Sequence, residues 1–436
     1  MYINITKMNK FTLLTLGLLL TFADTFAQKE VSGVYVGGHI RRERPGTITK
    51  LRNSGFTYVI LFNVHVTADG TLTTDGETIC KDGVYVFQQT QPYYQQDIAN
   101  LKKEPTSISR IDICIGGWGN DAYTNIKNLV NSQGTGENSI LYRNFKALKE
   151  AVPEIDGVNN DIEQDYDVNS GAKFHIMMYD LGYKTTLAPY TNKNYWTQLC
   201  SKIRASRPDA VDRAMIQCYD GGAGNVNQVG SWNFTGVAER HAGLMYYSND
   251  WNVEKNLQQF QKWKDDGVAT GGFVWVYNSE EWDLNAWASG MNRIYEAITV
   301  PEDQVVVKCY SERNYGGYCV ALPEGTFMQS DLAVYGLKAN DLSSIEILDE
   351  YYQVKLFTTN NCTGSRTIRK TSAKVLTSAY NDKVCSMIIE PNPTAIKSIS
   401  ASNSKKEKGI YNLAGQRLQK EQKGINIING KKVFVK

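Results

Sequence analysis

A chain of 436 residues with a formal net charge of +2 lacks the field that would gather nucleic acid or an anionic membrane, so a neutral partner is expected. Its length leaves room for one large unit plus a smaller one. The four histidines, His39, His65, His175 and His241, show no helical metal-ligand spacing, which argues against a zinc enzyme.

At the N-terminus Lys7 and Lys10 precede an apolar run over residues 11–22 and then Thr25-Phe26-Ala27. The run is too short to span a bilayer, and small residues occupy the two positions a signal peptidase reads. A secretory leader over residues 1–27 is expected, with export of the remainder and no transmembrane segment. A secreted or cell-surface location follows, with no lipid-anchoring cysteine after the leader.

From residue 31 to about 298, short apolar runs alternate with longer amphipathic stretches. Strands are predicted over 33–40, 58–66, 110–116, 155–163, 185–189, 214–219, 243–247 and 272–277, and helices over 140–152, 195–205 and 253–266 among others. The last of these helices carries Val253, Leu257, Phe260 and Trp263 along one face. Eight βα units over this length predict an α/β (β/α)8 TIM barrel over residues 28–300, with an open doubly wound sheet as the alternative.

In such a barrel, function lies at the strand C-termini. The residues falling there are Trp118, Asn120 and Asp121 after the third strand, Asp161 and Glu163 at the fourth, and Tyr219 and Asp220 at the sixth. Asn249 and Trp251 follow the seventh strand, and Trp275, Tyr277, Glu280 and Trp282 belong to the eighth. The fourth is the densest: Asp156-Gly157-Val158-Asn159-Asn160-Asp161-Ile162-Glu163. Read as a strand, it places Asn159, Asp161 and Glu163 on one face and Val158, Asn160 and Ile162 on the other. Two acids that close couple electrostatically, which tends to raise one pKa as a general acid at neutral pH requires. A surface loop or a calcium loop fits the same spacing.

After Pro301 the texture changes to short strands and Gly- and Tyr-rich turns. Residues 309–317 and 357–364 begin two similar units, followed by Asn340-Asp341-Leu342-Ser343-Ser344 and Asn381-Asp382-Lys383-Val384-Cys385-Ser386. This duplication predicts a small two-part β-sandwich over 304–391. Residues 392–408, rich in Ser, Lys and Asn, read as a linker, and residues 409–436 alternate too briefly to bury a core of their own. Of the eight cysteines, Cys114 and Cys218 sit in apolar runs where free buried thiols are expected, whereas Cys309, Cys319, Cys362 and Cys385 cluster where they could pair.

The acidic stretch resembles the D-G-x-D-x-D-x-E signature of family 18 glycoside hydrolases, the chitinases and endo-β-N-acetylglucosaminidases. Ile115-Gly116-Gly117, Gln217-Cys218-Tyr219-Asp220 and Trp275 support the resemblance in the family's order along the chain. The resemblance implies a monomeric glycosidase acting on β-1,4-linked N-acetylglucosamine in a glycan or glycoprotein, with no cofactor and no metal in the site. Glu163 would protonate the glycosidic oxygen and later activate water. Asp161 would orient the substrate's own 2-acetamido group, whose carbonyl oxygen Tyr219 would hold, and Trp275 would floor the sugar pocket. Asn159, Gln217, Asp220, Gly117 and Trp118 complete the expected binding set. Asn159 replaces the family's middle Asp, which removes a like charge beside Asp161 and predicts that Asp161 holds its proton less readily. A catalytically impaired lectin on the same architecture is the alternative.

Residues 310–317 resemble the hairpin of βγ-crystallin domains, and the two Asn-Asp stretches resemble their calcium motif. Ala339 stands where the first motif would begin, and Cys385 replaces a hydroxyl ligand in the second, so a structural or accessory role is expected rather than a working Ca2+ site. Residues 409–436 resemble the C-terminal sorting segments of some Gram-negative secreted proteins.

Overall fold

Eight strands pair in parallel and in sequence order: β1 (Ser32–Val36), β2 (Tyr58–Val66), β3 (Arg110–Gly116), β4 (Gly157–Asp161), β5 (Lys184–Leu187), β6 (Val211–Gln217), β7 (Glu239–Met245) and β8 (Gly271–Tyr277). Strand β1 pairs with both β2 and β8, which closes the sheet into a barrel. The structure is a computed structural model that describes residues 28–245, 252–278, 282–395, 410–412, 416–420, 422–428 and 431–435. The expected leader, most of the expected linker, and Asn249, Trp251 and Glu280 lie outside the described residues.

Every residue of β3, Arg-Ile-Asp-Ile-Cys-Ile-Gly, is buried, as a parallel strand covered on both faces requires. One face joins the layer between barrel and helices, where Ile111, Ile113 and Ile115 pack with the helical residues Phe145 and Phe174. The other face fills the barrel, where Cys114 lies with Tyr35, Tyr58, Ile60, Met215 and Phe273. Below these rings Arg110 pairs with Asp112 at 2.9 Å and Tyr58 donates to Asp112 Oδ2 at 2.5 Å, so the buried charges are partnered.

Helices surround the strands. The helix Val253–Asp265 buries Phe260 and Trp263 on the predicted face, each contributing about 2–3 kcal/mol of apolar burial. Two features depart from eight regular βα units. After β2 the chain detours through the antiparallel strands Leu72–Thr74, Glu77–Lys81 and Val84–Tyr85, anchored by Arg41 to Asp75 and Glu77 at 2.5 and 3.0 Å. Between β6 and β7 there is no α-helix among the described residues, only 3-10 turns over Asp220–Asn227 and Val229–Ser231. Gly221, Gly222, Gly224 and Gly230 deny this connection helical propensity.

Residues 307–391 form two small antiparallel sheets. Val307–Tyr310, Cys319–Leu322 and Ser344–Ile347 make the first; Gly325–Phe327, Tyr352–Phe357, Arg366–Arg369 and Ser386–Pro391 make the second. The halves are exchanged: Gly325–Phe327 pairs with Ser386–Pro391, while Ala373 bridges back to Ile345. This two-part sandwich rests on the last barrel helix, Leu284–Tyr295. Asn292 Nδ2 donates to Gly55 O and Ala333 O at 2.8 and 2.9 Å, Arg293 donates to Gly336 O at 2.9 Å, and Ala339 N–H donates to Asn285 Oδ1 at 2.9 Å. The described residues up to Asn392 form one compact unit, and the described residues from Pro393 form a second. In the latter, Ile410–Tyr411, Arg417–Leu418, Gly424–Ile428 and Lys431–Val435 pair as an antiparallel sheet.

All eight cysteines are free. Cys309 and Cys319 sit on adjacent strands, but Cys309 opposes Val320 and Cys319 opposes Tyr310, so period-two alternation turns one inward and the other outward. Cys385 contacts Asn340 Oδ1 at 3.1 Å, and Ser343 donates to Asp382 Oδ1 at 2.8 Å, spending oxygens that a calcium ion would need. With Cys385 in place of a hydroxyl ligand, millimolar Ca2+ is expected to change the melting temperature by less than about 1 °C, measured by calorimetry; a rise of several degrees would show a working site.

Candidate active site

The C-terminal rim of the barrel holds a cleft of about 620 Å³ lined by Phe62, Gly117, Trp118, Asp161, Glu163, Tyr190, Gln217, Tyr219, Asp220, Gly221 and Trp275, a size usual for small-molecule sites. Eight of the nine residues expected from the sequence meet there.

Strand β4 ends at Asp161, and the turn beyond it is shaped from the outer face. Asn160 accepts from the Ile162 N–H at 3.1 Å and meets His175 Nε2 at 2.8 Å, while His175 Nδ1 meets Thr185 Oγ1 at 3.1 Å. Burial drops the His175 pKa to about 3, so the ring is neutral and bridges β4 to β5. Glu163 thus stands past the strand, not on it, yet reaches the same cleft as Asp161.

The wall beside Asp161 is backbone. Gly117 N–H donates to Asp161 O at 2.7 Å, and a Cβ on Gly116 would stand 2.2 Å from that oxygen, at φ +110°. Only glycine allows so close an approach. Asn120 closes the turn by donating to Gly116 O and Gly117 O, and Asp121 accepts from Gln164; both brace the loop and neither lines the cleft. Trp118, 89% exposed, projects from the rim. Tyr277 and Trp282 are buried, which removes them from the converging aromatics that their positions suggested.

Asn159 departs from expectation most clearly. It is fully buried beneath the cleft, accepting from the Tyr35 hydroxyl at 2.8 Å and donating to Thr186 Oγ1 at 2.8 Å. With its amide spent inside the barrel, it is no ligand contact. Nor does its neutrality leave Asp161 a free-ionising carboxyl. Burial first, and the nearby Glu163 charge second, push Asp161 up to about 7, against the bond that Gln217 Nε2 donates to its Oδ1 at 2.7 Å. Desolvation outweighs the missing like charge.

Glu163 is half-buried, and its pKa is raised by burial and by Asp220, while hydrogen bonds from the Tyr190 hydroxyl and the Trp118 backbone oppose the rise. Gln217 is held in turn by Ala188 O at 2.9 Å. Tyr219 stacks on Trp275 with ring centroids 6.1 Å apart and planes 14° from parallel, and Phe62 and Tyr35 meet Trp275 edge-on at 4.7 and 5.2 Å. Burial raises the Tyr219 hydroxyl well above its ordinary pKa, so it is a hydrogen-bond donor at neutral pH. The cleft thus gathers two carboxyls whose pKa values are raised, with the stacked Tyr219 and Trp275 rings in its lining. Phe62, Tyr190 and Gly221 were not expected; Tyr190 stands just beyond an apolar strand, a position that could have flagged it.

No protein-family model matches the chain, and no curated protein does. Among solved structures, the chain is similar to a βγ-crystallin domain from Flavobacterium johnsoniae, at 30% identity over 21% of this chain and 99% of that one, with a TM-score of 0.20. A βγ-crystallin domain from Clostridium beijerinckii follows at 25% identity, covering 19% and 95%, with a TM-score of 0.19. The N-terminal domain of protein S stands at 22%, covering 20% and 98%, also at 0.19.

Proposed function

We propose that the barrel is a TIM barrel of the family 18 glycoside hydrolase kind and that the protein is a secreted or surface-exposed glycosidase cleaving β-1,4 linkages of N-acetylglucosamine, in chito-oligosaccharides or N-glycan cores. The observation that carries this reading is the pairing of Asp161, able to hold a proton near neutrality, with Glu163 over the Trp275–Tyr219 stack. The small sandwich, with its βγ-crystallin resemblance, serves as an accessory unit.

The chemistry follows the residues. A sugar ring lies on Trp275, and its acetamido carbonyl accepts from the Tyr219 hydroxyl. That carbonyl oxygen attacks the anomeric carbon as the glycosidic bond breaks, and Glu163 gives its proton to the departing oxygen. Asp161 accepts the acetamido N–H and balances the positive charge that spreads over the cyclised acetamido group. Water then attacks the anomeric carbon, Glu163 takes its proton, and the acetamide is released.

Because the coupled pair needs one proton between its two carboxyls, kcat/KM should fall as pH rises through about 7, where Asp161 loses its proton in the free protein. Rates on a fluorogenic chitobioside and a high-mannose glycopeptide from pH 4 to 9 check this. A profile flat across neutrality contradicts the proton-sharing pair, and the absence of turnover on both substrates contradicts the glycosidase.

A further inference from the structure

Tyr190 is built into the site more firmly than a lining residue needs to be. It follows β5 in the run Leu187-Ala188-Pro189-Tyr190, and its side chain lies over two glycines. A Cβ on Gly221 or on Gly222 would come within 2.9 Å of it, so the space that Tyr190 fills exists because both positions lack a side chain. Its backbone is pinned as well. Asn225 Nδ2 donates to Tyr190 O and to Gln217 O, each at 2.9 Å, and Trp232 Nε1 donates to Asn225 Oδ1 at 3.1 Å. One amide thereby fixes the ends of β5 and β6 together, and with them the residues that touch Glu163 and Asp161. Tyr190 lines the same cleft as Glu163, and its hydroxyl bears electrostatically on the Glu163 carboxyl.

We infer that Tyr190 is a positioning residue for Glu163: held over Gly221 and Gly222 in the same cleft, its hydroxyl orients that carboxyl. The groups facing Glu163 make the balance explicit. Asp161 on β4 and Asp220 after β6 are the acidic neighbours, and Asp220 favours a protonated Glu163. The Trp118 backbone N–H and the Tyr190 O–H favour its ionised form. Of these donors, Tyr190 is the side chain that substitution can remove. The catalytic meaning of this control rests on the glycosidase reading; the hold on Glu163 does not.

The test separates the two. In protein labelled with 13C at the glutamate carboxyl, the Glu163 resonance is identified by its loss in Glu163→Gln, and its titration is followed in wild type and in Tyr190→Phe, which keeps the ring on its glycine bed. Losing a hydrogen bond to a charged carboxylate should raise the midpoint by about one pH unit. On a fluorogenic chitobioside the same variant should lower kcat about tenfold with KM within about twofold of wild type. A Glu163 midpoint that does not move overturns the inference. If the midpoint moves while wild type hydrolyses neither a chitobioside nor a glycopeptide, the positioning role stands and the glycosidase reading falls.

Discussion

Glu163→Gln should lower kcat/KM on a fluorogenic chitobioside, or on a high-mannose glycopeptide, by about 10³-fold while leaving binding of the uncleaved sugar within about threefold. Glutamine preserves the shape of the side chain and can still meet the Tyr190 hydroxyl and the Trp118 backbone. It cannot deliver a proton to a glycosidic oxygen, and it cannot take one from water. The loss should therefore appear in kcat, because the sugar contacts proposed for Trp275 and Tyr219 do not use the Glu163 proton. Calorimetric titration with chito-oligomers measures binding, and initial rates measure turnover. Equal turnover in variant and wild type would rule out Glu163 as the acid. Binding without turnover in wild type would instead describe a lectin that keeps the same cleft, the alternative that Asn159 raised at the level of sequence.

The parts that were legible in the sequence are those fixed by local pattern. Apolar runs at strand length marked all eight barrel strands to within a few residues, and the alternation around Asp161 put Val158 and Ile162 in the outer core. Strand position was enough to gather Tyr219, Asp220 and Trp275 at one rim, and the family resemblance added Gly117 and Gln217. What stayed hidden depends on contacts between segments far apart. Asn159 reads as an acid replaced, but its role is set by Tyr35 and Thr186, 124 and 27 residues away. Tyr190 gains significance from Gly221 and Gly222, whose missing side chains make room for it. Tyr277 and Trp282 carry the composition of a binding rim but are buried. The seating of the small sandwich on Asn285, Asn292 and Arg293 is likewise invisible to periodicity, since those residues look like the polar face of a helix.

Asp161→Asn should abolish most activity and yet make the protein more stable above neutrality. A carboxyl whose pKa is raised from 3.8 to about 7 in the folded state is protonated alike in folded and unfolded chains below about pH 4, where it carries no penalty. As pH rises from there to 7, the unfolded chain ionises freely while the folded one resists, so the unfolded state binds fewer protons and stability falls. At pH 8 the full difference corresponds to a cost of up to about 4 kcal/mol. Asparagine keeps an oxygen to accept from Gln217 Nε2 and has no charge to bury. Urea unfolding should accordingly give similar midpoints for variant and wild type at pH 4, with a gap in the variant's favour that opens up to pH 7 and then stays constant. A gap of equal size at pH 4 and pH 8 would mean that Asp161 does not hold its proton in the folded protein. On the glycosidase proposal, the same cost gives a buried carboxyl a use at this position: because it ionises with difficulty beside Glu163, an arriving acetamido N–H would change which acid carries the proton.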